Sequence, residues 1–155
     1  MTSLTAFVFK NDPVGLRKAL ADGADPYGRD GDGRTPLIHA AIDNRLEVAN
    51  ELLDSGVQVD AQDQLGNSAL HYAAQGDHLE MARLLIDKGG ANVDVVEIHG
   101  NTPLWRAVFN FRGRGELILA LLKAGADQNR KNKHGKSPLD LADTIANYDI
   151  RQFFE

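Results

Sequence analysis

Thr35-Pro36-Leu37-Ile38 returns three times along the chain, as Ser68-Ala69-Leu70-His71, Thr102-Pro103-Leu104-Trp105 and Ser137-Pro138-Leu139-Asp140. The successive steps are 33, 34 and 35 residues. Gly33, Gly66, Gly100 and Gly135 keep the same beat just upstream. Downstream, Gly23-Ala24-Asp25, Gly56-Val57-Gln58, Gly90-Ala91-Asn92 and Gly125-Ala126-Asp127 close successive segments, each preceded by a leucine-rich run such as Leu52-Leu53 or Leu121-Leu122. Self-similarity at such a period marks a stacked array, in which no unit buries its own apolar face and stacking supplies the core. Arrays of this kind work through an extended surface rather than one deep cleft.

The physics of one unit is legible. Thr35 is suited to cap a helix whose first residue is Pro36, because a missing N–H there leaves nothing unsatisfied. Leu37, Ala40 and Ala41 follow at helical spacing, and the small alanines allow close approach of neighbouring units. Leu46, Val48, Ala49, Leu52 and Leu53 are expected to face the helix layer. Gly56 supplies the positive φ that ends the second helix. The chain then extends into a hairpin with Asp63 to Gly66 at its tip.

These motifs, taken together, resemble the ankyrin repeat: a hairpin with Asp and Gly, then T-P-L-H-x-A-A, a second helix ending in L-L, and G-A-D. The closest copy is Asp63-Gln64-Leu65-Gly66-Asn67-Ser68-Ala69-Leu70-His71-Tyr72-Ala73-Ala74. The resemblance covers essentially the whole chain. It implies an all-α solenoid of helix-turn-helix units joined by short β-hairpin loops, with five units in a single domain, 1–155. Residues 2–29 lack the T-P-L-H start and read as an N-terminal cap. Asp12 and Pro13 open its second helix. Residues 30–62, 63–96 and 97–131 read as internal units and 132–155 as a C-terminal cap. Two units depart from the pattern. Lys88-Gly89-Gly90 holds one extra residue, read as a loop adjustment. The stretch Phe109 to Glu116 holds two, read as an elongated loop open to a partner.

The composition limits the function. The net charge is −5, with 8 basic and 16 acidic residues in 1–100 but 9 and 6 in 101–155. Nucleic-acid affinity rests on neutralising phosphates, so no nucleic-acid partner is expected. The absence of cysteine excludes disulfides and thiolate metal sites. No run approaches the ~20 apolar residues of a membrane span. The first ten residues lack the basic start of a signal peptide. A cytoplasmic, monomeric protein is expected, with no membrane partner.

No catalytic residue, no metal site and no cofactor is expected. His71 stands at the signature histidine, to which the resemblance assigns a structural role, bonding neighbouring backbone. Asp30-Gly31-Asp32-Gly33 starts like a calcium loop, but Ala41 stands where the closing acid should be; a hairpin tip explains it. Gly113-Arg114-Gly115 is a single Arg-Gly copy. No P-loop, G-x-S-x-G or H-E-x-x-H occurs.

The surface is more informative. The resemblance implies that partners are gripped by hairpin tips and by the exposed face of the first helices. There stand Leu65, Ile98 and His99 on tips, Tyr72, Trp105, Arg106 and Phe109 on first helices, and Phe111 and Arg112 in the long loop. Trp, Tyr and Arg dominate binding hot spots. The rival reading has Trp105 and Phe109 filling space in the altered unit. The expected function is a non-enzymatic protein-binding module that blocks or recruits a partner protein. The alternative is a bacterial immunity protein that neutralises a basic toxin or enzyme, a role known among ankyrin arrays.

Overall fold

The computed structural model describes residues 3–154. Thr2 and Glu155, which open the first unit and close the last in the sequence reading, lie outside the described residues. Helices come in pairs: α1 (Leu4–Phe9) with α2 (Pro13–Ala21), α3 (Pro36–Ile42) with α4 (Leu46–Asp54), α5 (Ala69–Gln75) with α6 (Leu79–Arg83), and α7 (Pro103–Phe109) with α8 (Glu116–Lys123). A last helix α9 (Pro138–Thr144) is followed by a short 3-10 turn, Ile150–Phe153. The first helices α1, α3, α5, α7 and α9 stack in one layer, and α2, α4, α6 and α8 in a second.

Each first helix starts where its capping residue dictates. The hydroxyls of Thr35, Ser68, Thr102 and Ser137 accept from the N–H three residues on, at 3.1–3.4 Å. Pro36, Pro103 and Pro138 occupy first helical positions. Asp12 caps α2 through Gly15 N–H at 2.8 Å. Leu37, Leu70 and Leu104 occupy one buried column, and Leu16, Leu52, Leu85 and Leu121 another in the outer layer. Buried alanines Ala40, Ala41, Ala73, Ala74 and Ala107 let the inner helices close on one another. Leu46, expected among the packed residues, is exposed instead. It is the first residue of α4, beyond the helix's buried side.

The expected β-hairpins are tight turns; among the described residues there is no strand. The cause is local. Asp30, Asp63, Glu97 and Asn132 each accept two tip N–H groups on one side-chain oxygen, at 2.8–3.0 Å. That closes the turn on itself, with only two backbone bonds inside it, such as Asp63 N–H to Asn67 O at 2.9 Å and Gly66 N–H to Asp63 O at 3.0 Å.

The extra residue near Gly89 lies in the helix, not in a loop. Leu84–Lys88 forms a π-helical turn, with Gly89 N–H reaching Leu84 O at 3.2 Å. A Cβ on Gly89 would sit 2.6 Å from Leu85 O and 2.8 Å from Val59 Cγ2, so only glycine fits. The widened turn keeps Leu85 in its column while accommodating the insertion.

The two extra residues between α7 and α8 are packed as well. In the earlier units the inter-helix turn carries Asn11, Asn44 or Asp77 at φ of 51–56°. Here Phe111 meets Tyr148 and Phe153, ring centroids 5.1 and 5.9 Å away. Gly115 lies so close to the Phe153 ring that any side chain would collide with it. Arg114 reaches Asp77 of the preceding unit at 2.8 Å. The loop read as open to a partner is therefore the socket for the C-terminal segment, with the Arg112 side chain exposed.

Candidate protein-binding face

The four tips form one continuous row, because each hands a backbone bond to the next. Gln64 N–H donates to Asp32 O at 3.0 Å, Ile98 N–H to Leu65 O at 2.9 Å and Lys133 N–H to His99 O at 3.0 Å. Leu65 (55% exposed) and Ile98 (49%) stand at its centre. Gly66 and Gly100 adopt φ of 81° and 80° against the next tip's backbone, where a Cβ would come within 3.0 Å. The tips are joined through backbone, and the side chains of Leu65 and Ile98 are left to solvent.

Behind the tips, three carboxylates are tied to the first helices at a constant step of nine residues. Asp30 Oδ2 lies 2.7 Å from His39 Nε2, Asp63 Oδ2 accepts from the Tyr72 hydroxyl at 2.5 Å, and Glu97 Oε2 faces Arg106 at 3.4 Å. Arg34 also lies over the Tyr72 ring, 5.8 Å from its centroid. Arg106 further donates to Gln75 and Asn67 at 2.7 and 3.1 Å. Tyr72 and Arg106, expected to face a partner, are half-buried and engaged within the fold. Phe111, expected outside, is occupied by the C-terminal segment.

His71 is fully buried. Nδ1 accepts from Ser68 N–H at 3.1 Å and Nε2 donates to Asn101 O at 2.9 Å, which requires the Nε2–H tautomer. Burial pulls its pKa down to about 4. It bridges two successive repeats. Among the described residues no cluster of three or more metal-ligating side chains occurs.

Trp105 stands where units two and three carry Ile38 and His71. It is half-buried and stacks on Phe109 at 5.1 Å and 14°. Phe109 is 61% exposed. The pair borders a depression of about 230 Å³ shared with Gln75, Asn101 and Asn110. The indole N–H has no hydrogen-bond partner among the described residues. Trp105 thus packs within the altered unit, while Phe109 presents its ring outward.

A family model of ankyrin repeats in three copies matches residues 51–132, more than half of the chain. The chain belongs to the ankyrin repeat family. A single ankyrin repeat also matches residues 32–64. A Danio rerio protein that carries the name palmitoyltransferase ZDHHC13 is 32% identical over 124 residues, which are 79% of this ankyrin chain but 19% of that protein. The Arabidopsis thaliana potassium channel SKOR is 37% identical over 67 residues, 43% of this chain and 8% of the channel. Human oxysterol-binding protein-related protein 1 is 51% identical over 43 residues, 28% of this chain and 4% of its own length. The chain thus spans less than a fifth of these relatives, and the likeness is one of ankyrin repeats. Such repeats are protein–protein interaction modules. Among the described residues no helix is long and apolar enough to cross a membrane.

Proposed function

We propose that this array binds a partner protein on the face made by the tips of units three and four and the α7 aromatic pair, blocking or recruiting that partner without catalysis. The observation that carries the reading is the exposure of Leu65, Ile98 and Phe109 on a scaffold that holds their backbone rigidly. Solvent-facing apolar side chains grouped in this way mark interaction sites. His99, Trp105 and Arg112 border the contact. Tyr72, Arg106 and Phe111 act from behind it, by holding the tips and the long loop in place. The proposal includes the five-unit partition, with the outer units as caps, and action as a monomer in the cytoplasm.

The narrower version, an immunity protein that occludes a basic toxin, has the net charge of −5 behind it. Against it, Lys133 and Lys136 occupy the same row of tips and would repel a basic partner there, so the broader reading is preferred.

Affinity capture from native lysate tests the reading, with wild type and a Leu65→Asp/Ile98→Asp/Phe109→Ala variant side by side. The expected result is a stoichiometric protein on wild type that is lost from a variant of equal melting temperature. Equal retention by both would move the site elsewhere.

A further inference from the structure

The row of tips changes character along its length. Units three and four present Leu65 and Ile98 to solvent. The next tip belongs to the last unit, where four cations fall within residues 130–136: Arg130, Lys131, Lys133 and Lys136. All four are exposed. Among the described residues none lies within ion-pair distance of a carboxylate. Elsewhere Arg34, Arg106 and Arg114 are paired with Asp32, Glu97 and Asp77, and the cations outside ion pairs, such as Lys10, Arg45 and Lys123, are scattered along the chain rather than gathered on one tip. The first tip, residues 29–34, carries two cations and two anions. The charge of the last tip is therefore a local excess on an otherwise acidic chain. Asp140, the acid that this excess acts on, is held by Ser137 N–H at 2.9 Å as a helix cap. Its carboxyl is kept below the usual range first by Ser137 and then by Lys131 and Lys136.

We propose that the tips of units three to five form a polarised strip for an extended segment of a partner protein. Its apolar side chains lie on Leu65 and Ile98, and its carboxylates lie over Lys133 and Lys136. This rests on the protein-binding reading above and adds the chemistry and direction of the occupant. The backbone bonds from Ile98 to Leu65 and from Lys133 to His99 make the apolar and basic parts neighbours on one surface. Stacked helices lie about 8–10 Å apart, so three tips span roughly 20 Å, the reach of about six extended residues. Charge at one end alone sets the direction in which such a segment lies, since like charges over the lysines are repelled. A polyanion such as nucleic acid fits less well, because the cationic stretch is short and the neighbouring tips are apolar or neutral.

The test is selection from a displayed library of random peptides of about 12 residues, roughly twice the span of the strip. The baits are wild type, Lys133→Glu/Lys136→Glu and Leu65→Asp/Ile98→Asp, each confirmed folded by its melting curve. Peptides with apolar residues flanked on one side by Asp or Glu are expected on wild type. Synthetic copies should lose roughly tenfold or more in affinity on the charge-reversed protein, and should bind wild type more weakly as salt is raised. If selected peptides lack acids, or bind the charge-reversed protein equally well, the polarity is wrong; their loss on the Leu65→Asp/Ile98→Asp protein would still uphold the apolar face. Peptides indifferent to both variants would bring down both readings. A library that yields no binder overturns the strip. So does tighter binding of a single-stranded oligonucleotide than of any selected peptide.

Discussion

The Tyr72 hydroxyl donates to Asp63 Oδ2 at 2.5 Å, while Asp63 Oδ1 accepts the N–H groups of Leu65 and Asn67. One carboxylate thus joins a tip to the inner helix that follows it, and Leu65 inherits its position from Tyr72. His39 and Arg106 hold the equivalent acids Asp30 and Glu97 in the neighbouring units. The proposed binding row is thus braced from behind by these side chains as well as by the backbone bonds between tips.

Tyr72→Phe removes the donor and leaves Asp63 half-satisfied. A hydrogen bond to a charged group contributes about 1.5–3 kcal/mol, and partial exposure lowers this, so a loss of about 1–2 kcal/mol is expected. Urea unfolding measures it. A change indistinguishable from zero would mean that Asp63 holds the tip without Tyr72.

The buried neutral His71 makes stability depend on pH. Its folded pKa of about 4 lies below the ordinary 6.5, so between these values the unfolded chain binds more protons than the folded one. Stability is then full above 6.5 and falls as pH drops towards 4. The whole shift corresponds to roughly 3 kcal/mol. Urea midpoints across this window should fall with acid in wild type and flatten in His71→Gln. The lowered carboxyls of Asp30, Glu51 and Asp140 also lose their contribution as pH falls through the carboxylate range, so the difference between wild type and His71→Gln isolates the histidine.

Leu70 is the middle member of the Leu37, Leu70, Leu104 column and is 1% exposed. Leu70→Ala should cost about 2–5 kcal/mol through lost burial and the cavity left behind. The equivalent Leu139 is only half-buried, and Leu139→Ala should cost less. Equal losses at the two sites would contradict the stacking order.

Phe111→Ala should lower the melting temperature, because the ring packs on Tyr148 and Phe153. A loss of about 1–3 kcal/mol is expected, below the 3–5 typical of a fully buried Phe. Arg112→Ala, at an exposed position, should leave stability within about 0.5 kcal/mol. Differential scanning calorimetry on the two single variants separates these effects. A silent Phe111→Ala would return the loop to a free surface.

The fold was legible because its signals are short-range and repeated. A cap such as Thr35 with Pro36, a turn acid such as Asp63 and a Gly56 with positive φ act within a few residues, and each occurs several times in register. The exposed tips Leu65 and Ile98 could be read for the same reason, since tip positions are set by the turn alone.

Side-chain partners were legible only in part. Tyr72 and Arg106 occupy outward positions in the repeat, yet each finds its own unit's acid. The same position holds His in one unit, Tyr in the next and Arg in the third, so no repeated letter announces the contact. Sequence by itself determined the all-α repeat solenoid, the residues that cap its helices, the buried leucine columns and the excess of cations near the C-terminal end. Tertiary structure decided what the irregularities do. The residue added before Gly90 became a π turn because Leu85 had to stay in its column. The residues added after Phe109 became a socket because Phe153, more than forty positions on, folds back against Phe111 and Gly115. A chain reads its local bonds from its own neighbours, but a packing partner that far away is chosen only when the solenoid closes its last face.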